Sequence, residues 1–153
     1  MTSIEGHQDA SSLKIGVVVA SWNQTITDRL LEGALGKLDQ LGAIDPVVLR
    51  VPGALEIPVG AKALIEHGCD AIIAIGTVIK GETDHYEIVV DHSNAGLSRL
   101  AVSSGVPIGN AILAVHDVED AINRSGADNA NKGAEAASAA VSTANAIREL
   151  LAP

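Results

Sequence analysis

The hydrophobic residues of this chain fall into four short runs that alternate with longer stretches of mixed character. Each run is rich in Val, Ile, Leu or Ala, which is typical of strands buried in a parallel sheet. The runs predict strands at residues 13–20, 46–51, 70–79 and 108–115.

The stretches between and after the runs predict five helices. Apolar residues recur at helical spacing from Ile26 to Leu41, with Thr25 as the expected N-cap and Gly42 as the stop. The same kinds of signal predict four more: a helix after Pro52 and Gly53 that ends at Gly68, a long helix at residues 84–104, a short helix from Asp117 to Gly126, and an Ala-rich helix at residues 131–151.

Strands that alternate with helices predict a parallel sheet with helices on both faces, joined by right-handed crossovers. The predicted fold class is therefore α/β, a flavodoxin-like three-layer sandwich around a four-stranded parallel sheet. No internal repeat, linker or shift of composition divides the chain. We expect a polar N-terminal arm at residues 1–12 and one domain at residues 13–153.

Composition excludes several classes of protein. Of the 153 residues, 47% are hydrophobic and 19% charged, which is too apolar for a disordered chain. The net charge of −9 leaves no dense basic patch for nucleic acid or an anionic membrane, and no apolar run approaches the ~20 residues of a spanning helix. The N-terminus lacks an export signal and Cys69 is the single cysteine, so we expect a cytoplasmic protein.

Polar and aromatic residues follow the ends of the predicted strands. Ligands of open parallel sheets bind beyond the carboxyl ends of the strands, so these residues are the candidates for a site. The sole Trp, the sole Tyr and two of the five histidines fall there. The segments are residues 21–23 after the first strand, 53–56 after the second, 80–86 after the third and 116–117 after the fourth.

Several of these residues have a structural as well as a functional interpretation. Trp22 is either a hydrophobic anchor or a stacking surface for a planar ligand. His85 is either a solvated first-turn residue or a proton-transfer group, because histidine exchanges its proton near neutral pH. Glu56 either favours a helix N-terminus or binds a ligand, and Thr83 either caps a helix or joins an anion site.

Two segments of the sequence have a functional interpretation as parts of a phosphate site. Residues 81–83 lead into a helix and could offer backbone N–H groups to a phosphate. Arg124 and Lys132 flank the turn between the last two helices, where they are either solvated or phosphate partners. We expect no metal, because Glu82, His85 and His92 lack an accompanying Cys pair or HExxH motif.

Six sequence blocks together resemble the 6,7-dimethyl-8-ribityllumazine synthase family, over a span from about Lys14 to the C-terminus. Any one block is weak, but six in order with family-like spacing are specific. They are SWN at residues 21–23, VPGALEIP at 51–58, VIKGETDHY at 78–86, PIGN at 107–110, NRSG at 123–126 and NKGAE at 131–135.

The resemblance implies a condensation of 5-amino-6-(D-ribitylamino)uracil with 3,4-dihydroxy-2-butanone 4-phosphate, with loss of phosphate and two waters and without a metal or organic cofactor. It implies that Trp22 stacks on the pyrimidine, Glu56 holds the ribityl chain and His85 shuttles protons. The phosphate would be bound by Gly81, Glu82, Thr83 and Arg124. Further substrate-binding positions would be Asn23, Gly53, Ala54, Leu55, Val78, Ile79, Lys80, Asn110, Lys132 and Glu135.

The sequence departs from the family pattern at the edge of this site. Lys80, Asp84 and Tyr86 replace Arg, Pro and Phe of the usual motif. Residues 114–117 read AVHD, where the family commonly has two threonines, then Asp or Asn, then Thr. These changes are either drift in a working synthase or signs of another function. The alternatives are a divergent paralogue acting on another short sugar phosphate and a non-catalytic flavin- or lumazine-binding shell protein.

The resemblance also implies a homo-oligomer, a pentamer or twelve pentamers in an icosahedral shell, with each site at a subunit interface. The N-terminal arm commonly adds a strand to the neighbouring subunit's sheet, and residues 2–13 could do so here. The turn at residues 126–131 is short, which permits a shell.

Overall fold

Four parallel strands form the centre of the computed structural model, which describes residues 1–128 and 130–153. They are β1 (Ile15–Ala20), β2 (Val47–Val51), β3 (Ala71–Ile79) and β4 (Ile108–Val115), in the order β2-β1-β3-β4. The predicted four-stranded parallel sheet is therefore confirmed. β1 begins two residues later than predicted, because the N–H of Leu13 bonds back to the Ala10 carbonyl and that of Lys14 to the Asp70 carboxylate.

Burial follows the position of each strand in the sheet. Every residue of β1 is buried, as are all residues of β3 except Ile79, because both strands lie between two neighbours and two helical layers. β2 lies at one edge and alternates instead, with Val48 and Arg50 exposed. β4 forms the other edge and exposes Asn110 and Ala114.

The helices are α1 (Gln24–Gln40), α2 (Ile57–Glu66), α3 (His85–Ser104), α4 (Val118–Asn123) and α5 (Lys132–Leu151). A short 3-10 turn at Ala54–Glu56, which the sequence did not predict, precedes α2. The prediction of Thr25 as the N-cap of α1 is wrong, because the cap is Asn23 and Thr25 lies in the first turn. Asp117 does occupy the N-cap of α4, but its side chain makes no capping bond, and α4 ends three residues before the predicted Gly126.

The helices form a layer on each face of the sheet. α1 and α5 cover one face around Leu30, Ile73 and Val141, and α2 and α3 cover the other around Ile57 and Ile72. Close approach of α1 to α5 depends on Gly133, because a Cβ at that position would overlap the backbone carbonyl of Leu30.

The N-terminal arm lies on its own chain. The Ser142 hydroxyl donates to the Gly6 carbonyl at 3.1 Å, and the Asn145 amide donates to the carbonyls of His7 and Asp9 at 2.8 and 2.9 Å. Residues 1–12 contain no strand, and Ala10 is fully buried. Addition of this arm to a neighbour's sheet stays a prediction, and residues 1–5 carry none of these contacts.

None of the helices in residues 1–128 and 130–153 is both long enough and apolar enough to cross a membrane.

Candidate active site

Trp22, Gly53 and Glu56 form a corner where β1 and β2 end. The backbone N–H of Trp22 donates to the Pro52 carbonyl at 2.9 Å, which ties the two loops together. The indole ring lies against Gly53, where a Cβ would come within 2.5 Å of it. Trp22 remains 66% exposed, so it is not a buried anchor and presents a flat apolar surface to solvent.

The two oxygens of the Glu56 carboxylate have different surroundings. One carboxylate oxygen, Oε2, accepts the Gly53 N–H at 3.0 Å and so fixes the turn beneath Trp22. No hydrogen bond from a described residue reaches the other oxygen, Oε1. Ala54 is buried in the same turn, whereas Leu55 is 42% exposed. A carboxylate held in this way can accept hydrogen bonds from a polyhydroxyl ligand beside the indole.

Asn23 connects this corner to the neighbouring strand β3. Its backbone is left-handed, with φ 58° and ψ 45°, a conformation that Asn tolerates better than most residues. Its side-chain amide donates to the Thr77 carbonyl of β3 at 2.8 Å instead of capping α1. This bond ties the loop after β1, which carries Trp22, to β3.

Residues 80–84 form an exposed loop between β3 and α3, continuing from Val78 and Ile79 at the end of β3. The backbone N–H groups of Gly81, Glu82 and Thr83 make no hydrogen bond to another described residue. They precede a 20-residue helix whose N-terminal end carries a partial positive charge. Free N–H groups at such an end are suited to binding an anion.

His85 is the first residue of α3 and is exposed. Its backbone N–H faces the Thr83 hydroxyl at 3.4 Å, so Thr83 contributes to the start of the helix as well as to the loop. Among the described residues, none makes a hydrogen bond with the His85 imidazole. The ring is therefore available to exchange protons with a bound molecule.

The Lys80 ammonium forms an ion pair with a neighbouring carboxylate. The ammonium lies 3.2 Å from Oε1 of Glu87 and 5.8 Å from the centre of the Tyr86 ring. A hydrogen bond from the backbone N–H of Glu87 itself, followed by that from Lys80, holds the pKa of the Glu87 carboxyl below its ordinary value, and the charges of Lys80 and His116 act in the same direction. Lys80 therefore stabilises the loop and is not an unpaired charge.

Three other predicted site residues, Asn110, Arg124 and Lys132, lie along the open edge of β4. A groove of about 570 Å³ there is lined by Asn110, His116, Asp120, Arg124 and Lys132, among others. The backbone N–H of Lys132 donates to the Arg124 carbonyl at 2.9 Å, so the two residues are adjacent across the turn. Both have acidic partners. Arg124 lies 3.6 Å from Asp120, and Lys132 lies 2.7 Å from Glu135.

Asn110 is separated from Trp22 in this chain. It is paired with Ala74 in the first half of β4, five residues before the strand ends at Val115. Its amide donates to Asn94 of α3 at 2.6 Å, and its oxygen accepts the Ile112 N–H at 2.9 Å.

The predicted site residues thus form two groups in one chain. Trp22, Asn23 and residues 53–56 and 78–85 lie at the carboxyl ends of β1, β2 and β3, whereas Asn110, Arg124 and Lys132 line the groove along β4. Glu135 also lines a separate cavity of about 920 Å³ between α1 and α5.

Sequence reasoning missed the partners that orient these residues. The Asp120 and Arg124 spacing of i, i+4 was a readable signal for one pair. No sequence signal linked Asn94 to Asn110. The buried Asn131 caps α5 by accepting the Ala134 N–H at 3.1 Å, and it donates to the carbonyls of Arg29 and Gly126.

No group of three or more His, Cys, Asp or Glu residues suited to a metal ion occurs in the described part of the chain. Glu82, His85 and His92 do not form one. Burial raises the pKa of the Cys69 thiol, which keeps this cysteine protonated and unreactive.

Comparison with known proteins gives one consistent family. Residues 12–148 match the sequence profile of 6,7-dimethyl-8-ribityllumazine synthase. The chain is 43% identical over 146 residues to the 6,7-dimethyl-8-ribityllumazine synthase of Mycolicibacterium gilvum, an alignment that covers 94% of this chain and 91% of that protein. It is 40% identical over 148 residues to the enzyme of that name from Streptomyces avermitilis, with 95% and 92% coverage. The chain belongs to the 6,7-dimethyl-8-ribityllumazine synthase family.

Proposed function

We propose that this protein condenses 5-amino-6-(D-ribitylamino)uracil with 3,4-dihydroxy-2-butanone 4-phosphate to form 6,7-dimethyl-8-ribityllumazine, phosphate and two waters. The observation that carries the proposal is the exposed indole of Trp22 beside Glu56, in a chain of this family. A planar pyrimidine with a polyhydroxyl side chain needs that combination, because the ring stacks on an aromatic face while the hydroxyls donate to a carboxylate.

The pyrimidine half of the site is the corner at β1 and β2. Trp22 stacks on the ring, and Glu56 accepts hydrogen bonds from the ribityl hydroxyls through Oε1. Gly53, Ala54 and Leu55 form the floor of this corner, with Val78 and Ile79 at the adjacent end of β3. Asn23 holds the loop that carries Trp22 against β3 through the bond from its amide to the Thr77 carbonyl.

The phosphate half is the loop before α3. The free N–H groups of Gly81, Glu82 and Thr83 and the helix dipole bind the phosphate, with Arg124 as a guanidinium partner. Stabilising the phosphate as it leaves accelerates the elimination step, because charge develops on the departing group. The backbone N–H of Lys132 binds the Arg124 carbonyl, and the Glu135 carboxylate pairs with the Lys132 ammonium.

His85 moves the protons that the reaction requires. The amine of the pyrimidine attacks the carbonyl of the ketose phosphate, and loss of one water gives an imine. Elimination of phosphate and ring closure with loss of the second water complete the product. Each step transfers a proton to or from carbon, nitrogen or oxygen, and an unpaired imidazole can take and return it. Holding both substrates together contributes further acceleration.

The complete site is proposed to form between two copies of the chain in a homo-oligomer. In a single chain Asn110 lies along the edge of β4, away from the Trp22 corner. A neighbouring copy that places its β4 edge against that corner would supply Asn110, Arg124 and Lys132. By family resemblance the assembly is a pentamer, and the mass in solution distinguishes a pentamer, a decamer and a sixty-subunit shell. We also propose a cytoplasmic location.

The direct test is an assay with both substrates. The lumazine product is followed by its absorbance and fluorescence, and absence of product at micromolar enzyme overturns the proposal. If activity is poor while phosphate still binds, restoration by Asp84→Pro and His116→Asp indicates drift within a synthase, and failure to restore it favours a paralogue with another sugar phosphate. Binding of lumazine without turnover identifies a storage protein.

A further inference from the structure

The loop that carries the proposed phosphate ligands has few contacts of its own. Residues 81–85 are all exposed, and the hydrogen bond described within them is the long one from the His85 N–H to the Thr83 hydroxyl. Asp84, the N-cap of α3, makes no side-chain capping bond. The position of the loop therefore depends on the residues at its two ends.

Four side chains from three elements meet at those ends. Lys80 directly follows β3, Tyr86 and Glu87 lie in the first turn of α3, and His116 directly follows β4. Lys80 and Glu87 lie 3.2 Å apart and close the loop across its base. The Lys80 ammonium also lies 5.8 Å from the centre of the Tyr86 ring. We call these four residues the loop-base cluster.

His116 joins this cluster from the β4 side. Its ring meets the ring of Tyr86 edge to face, with centroids 5.9 Å apart and planes at 80°. Aromatic pairs prefer this geometry, because the positive edge of one ring faces the negative face of the other. Tyr86 is partly buried and packs against the core on the α2 and α3 side of the sheet. Its ring is thus fixed from below by the core and from the side by His116.

The contact between His116 and Tyr86 also affects His85. His85 directly precedes Tyr86 in the first turn of α3, so a displacement of the Tyr86 backbone would also displace His85 and the loop before it. His116 also lines the groove that contains Arg124 and Lys132.

We propose that His116 is a positioning residue that acts through Tyr86. The edge-to-face contact orders residues 81–85, and so holds the phosphate-binding N–H groups and His85 in register. This inference rests on the proposed function only in naming the ketose phosphate as the natural ligand of the loop.

The experiment compares His116→Ala with His116→Phe, which keeps an aromatic ring and removes the imidazole nitrogens. His116→Ala should raise KM for the ketose phosphate by about tenfold and lower kcat, with KM for the pyrimidine unchanged, because the Trp22 corner lies outside the cluster. His116→Phe should restore most of the loss. His67→Ala removes an exposed histidine at the opposite end of the sheet and serves as the matched control.

A double-mutant cycle tests the route through Tyr86. Tyr86→Ala should produce the same loss as His116→Ala, and the double variant should be no worse than either single one. Fully additive losses overturn the proposal. So does an equal rise of KM for both substrates, which indicates a general structural defect.

A second measurement is independent of turnover. Tyr86 is the sole tyrosine, so 3-fluorotyrosine labelling gives one ¹⁹F signal, and inorganic phosphate is the probe. His116→Ala should weaken phosphate binding by about tenfold and shift that signal, and His116→Phe should reverse both effects. If the wild-type protein forms no lumazine but phosphate binding responds in this way, the proposed function fails and the positioning role stands. Unchanged phosphate binding in His116→Ala overturns the positioning role.

Discussion

The indole of Trp22 lies over the α-carbon of Gly53, so close that a Cβ at Gly53 would come within 2.5 Å of the ring. The glycine is therefore required for space, since its φ of −136° is open to any residue. The oxygen Oε2 of Glu56 would also lie 3.2 Å from the same Cβ. One hydrogen atom in place of a side chain allows the aromatic surface and the carboxylate to share one corner.

Gly53→Ala is expected to displace the indole and to weaken binding of the pyrimidine substrate. We expect KM for that substrate to rise by about tenfold, since base stacking on an aromatic side chain is worth about 1–3 kcal/mol. KM for the ketose phosphate should stay unchanged. Steady-state kinetics with each substrate varied in turn checks this. Gly36→Ala is the control, because a Cβ at Gly36 meets nothing within 4 Å.

His85→Ala is expected to lower kcat by roughly 10²-fold with little change in either KM, because general acid-base catalysis contributes on that scale. The imidazole makes no hydrogen bond with a described residue, so the thermal unfolding temperature should be retained. His67→Ala provides the comparison. A rate equal to that of the wild type would remove His85 from the mechanism and leave proximity as the main contribution.

Arg124→Ala is expected to raise KM for the ketose phosphate by about tenfold or more, because a hydrogen bond to a charged group is worth about 1.5–3 kcal/mol. KM for the pyrimidine should not move. Arg99→Ala removes an exposed arginine of α3 and serves as the matched control. Sedimentation should show the assembly intact. Turnover at the wild-type KM would argue against phosphate binding by Arg124.

Glu87→Gln is expected to reduce the dependence of stability on acid pH. The pKa of Glu87 is lower in the folded protein than the ordinary value of 4.5. Between those two values the unfolded chain binds more protons, so the contribution of Glu87 is complete above about pH 4.5 and is lost as pH falls through the folded value. Unfolding temperatures measured from pH 3 to pH 6 should diverge between wild type and variant as pH rises. Glu119→Gln, at an exposed glutamate of α4, is the matched control.

Much of the fold was readable because burial imposes a simple pattern. β3 had to be apolar throughout, since two strands and two helical layers surround it, and its predicted range differs from the observed one by a single residue. The failures arose where a distant group changed the local outcome. Thr25 looked like an N-cap, but the Asn23 amide binds the Thr77 carbonyl 54 residues away and the helix begins after Asn23.

For the candidate site, too, the residue types could be predicted from the sequence but the contacts of the side chains could not. Runs such as SWN and KGET predicted the candidate residues and indicated the family, because an aromatic platform and an anion site require particular residue types. Which of those residues are free and which are paired could not be read. Glu87 neutralises Lys80, and Asn94 binds Asn110.

The sequence alone determined the α/β class, the order of helices and strands and the family, because each depends on residue types and on spacing along the chain. The tertiary structure decided that Trp22 stays exposed above Gly53, that the arm lies on α5, and that Asn110 lies along the edge of β4, away from the Trp22 corner. These outcomes depend on contacts between residues far apart in the chain. Their energies are set by distance and orientation in space, which spacing along the chain does not specify.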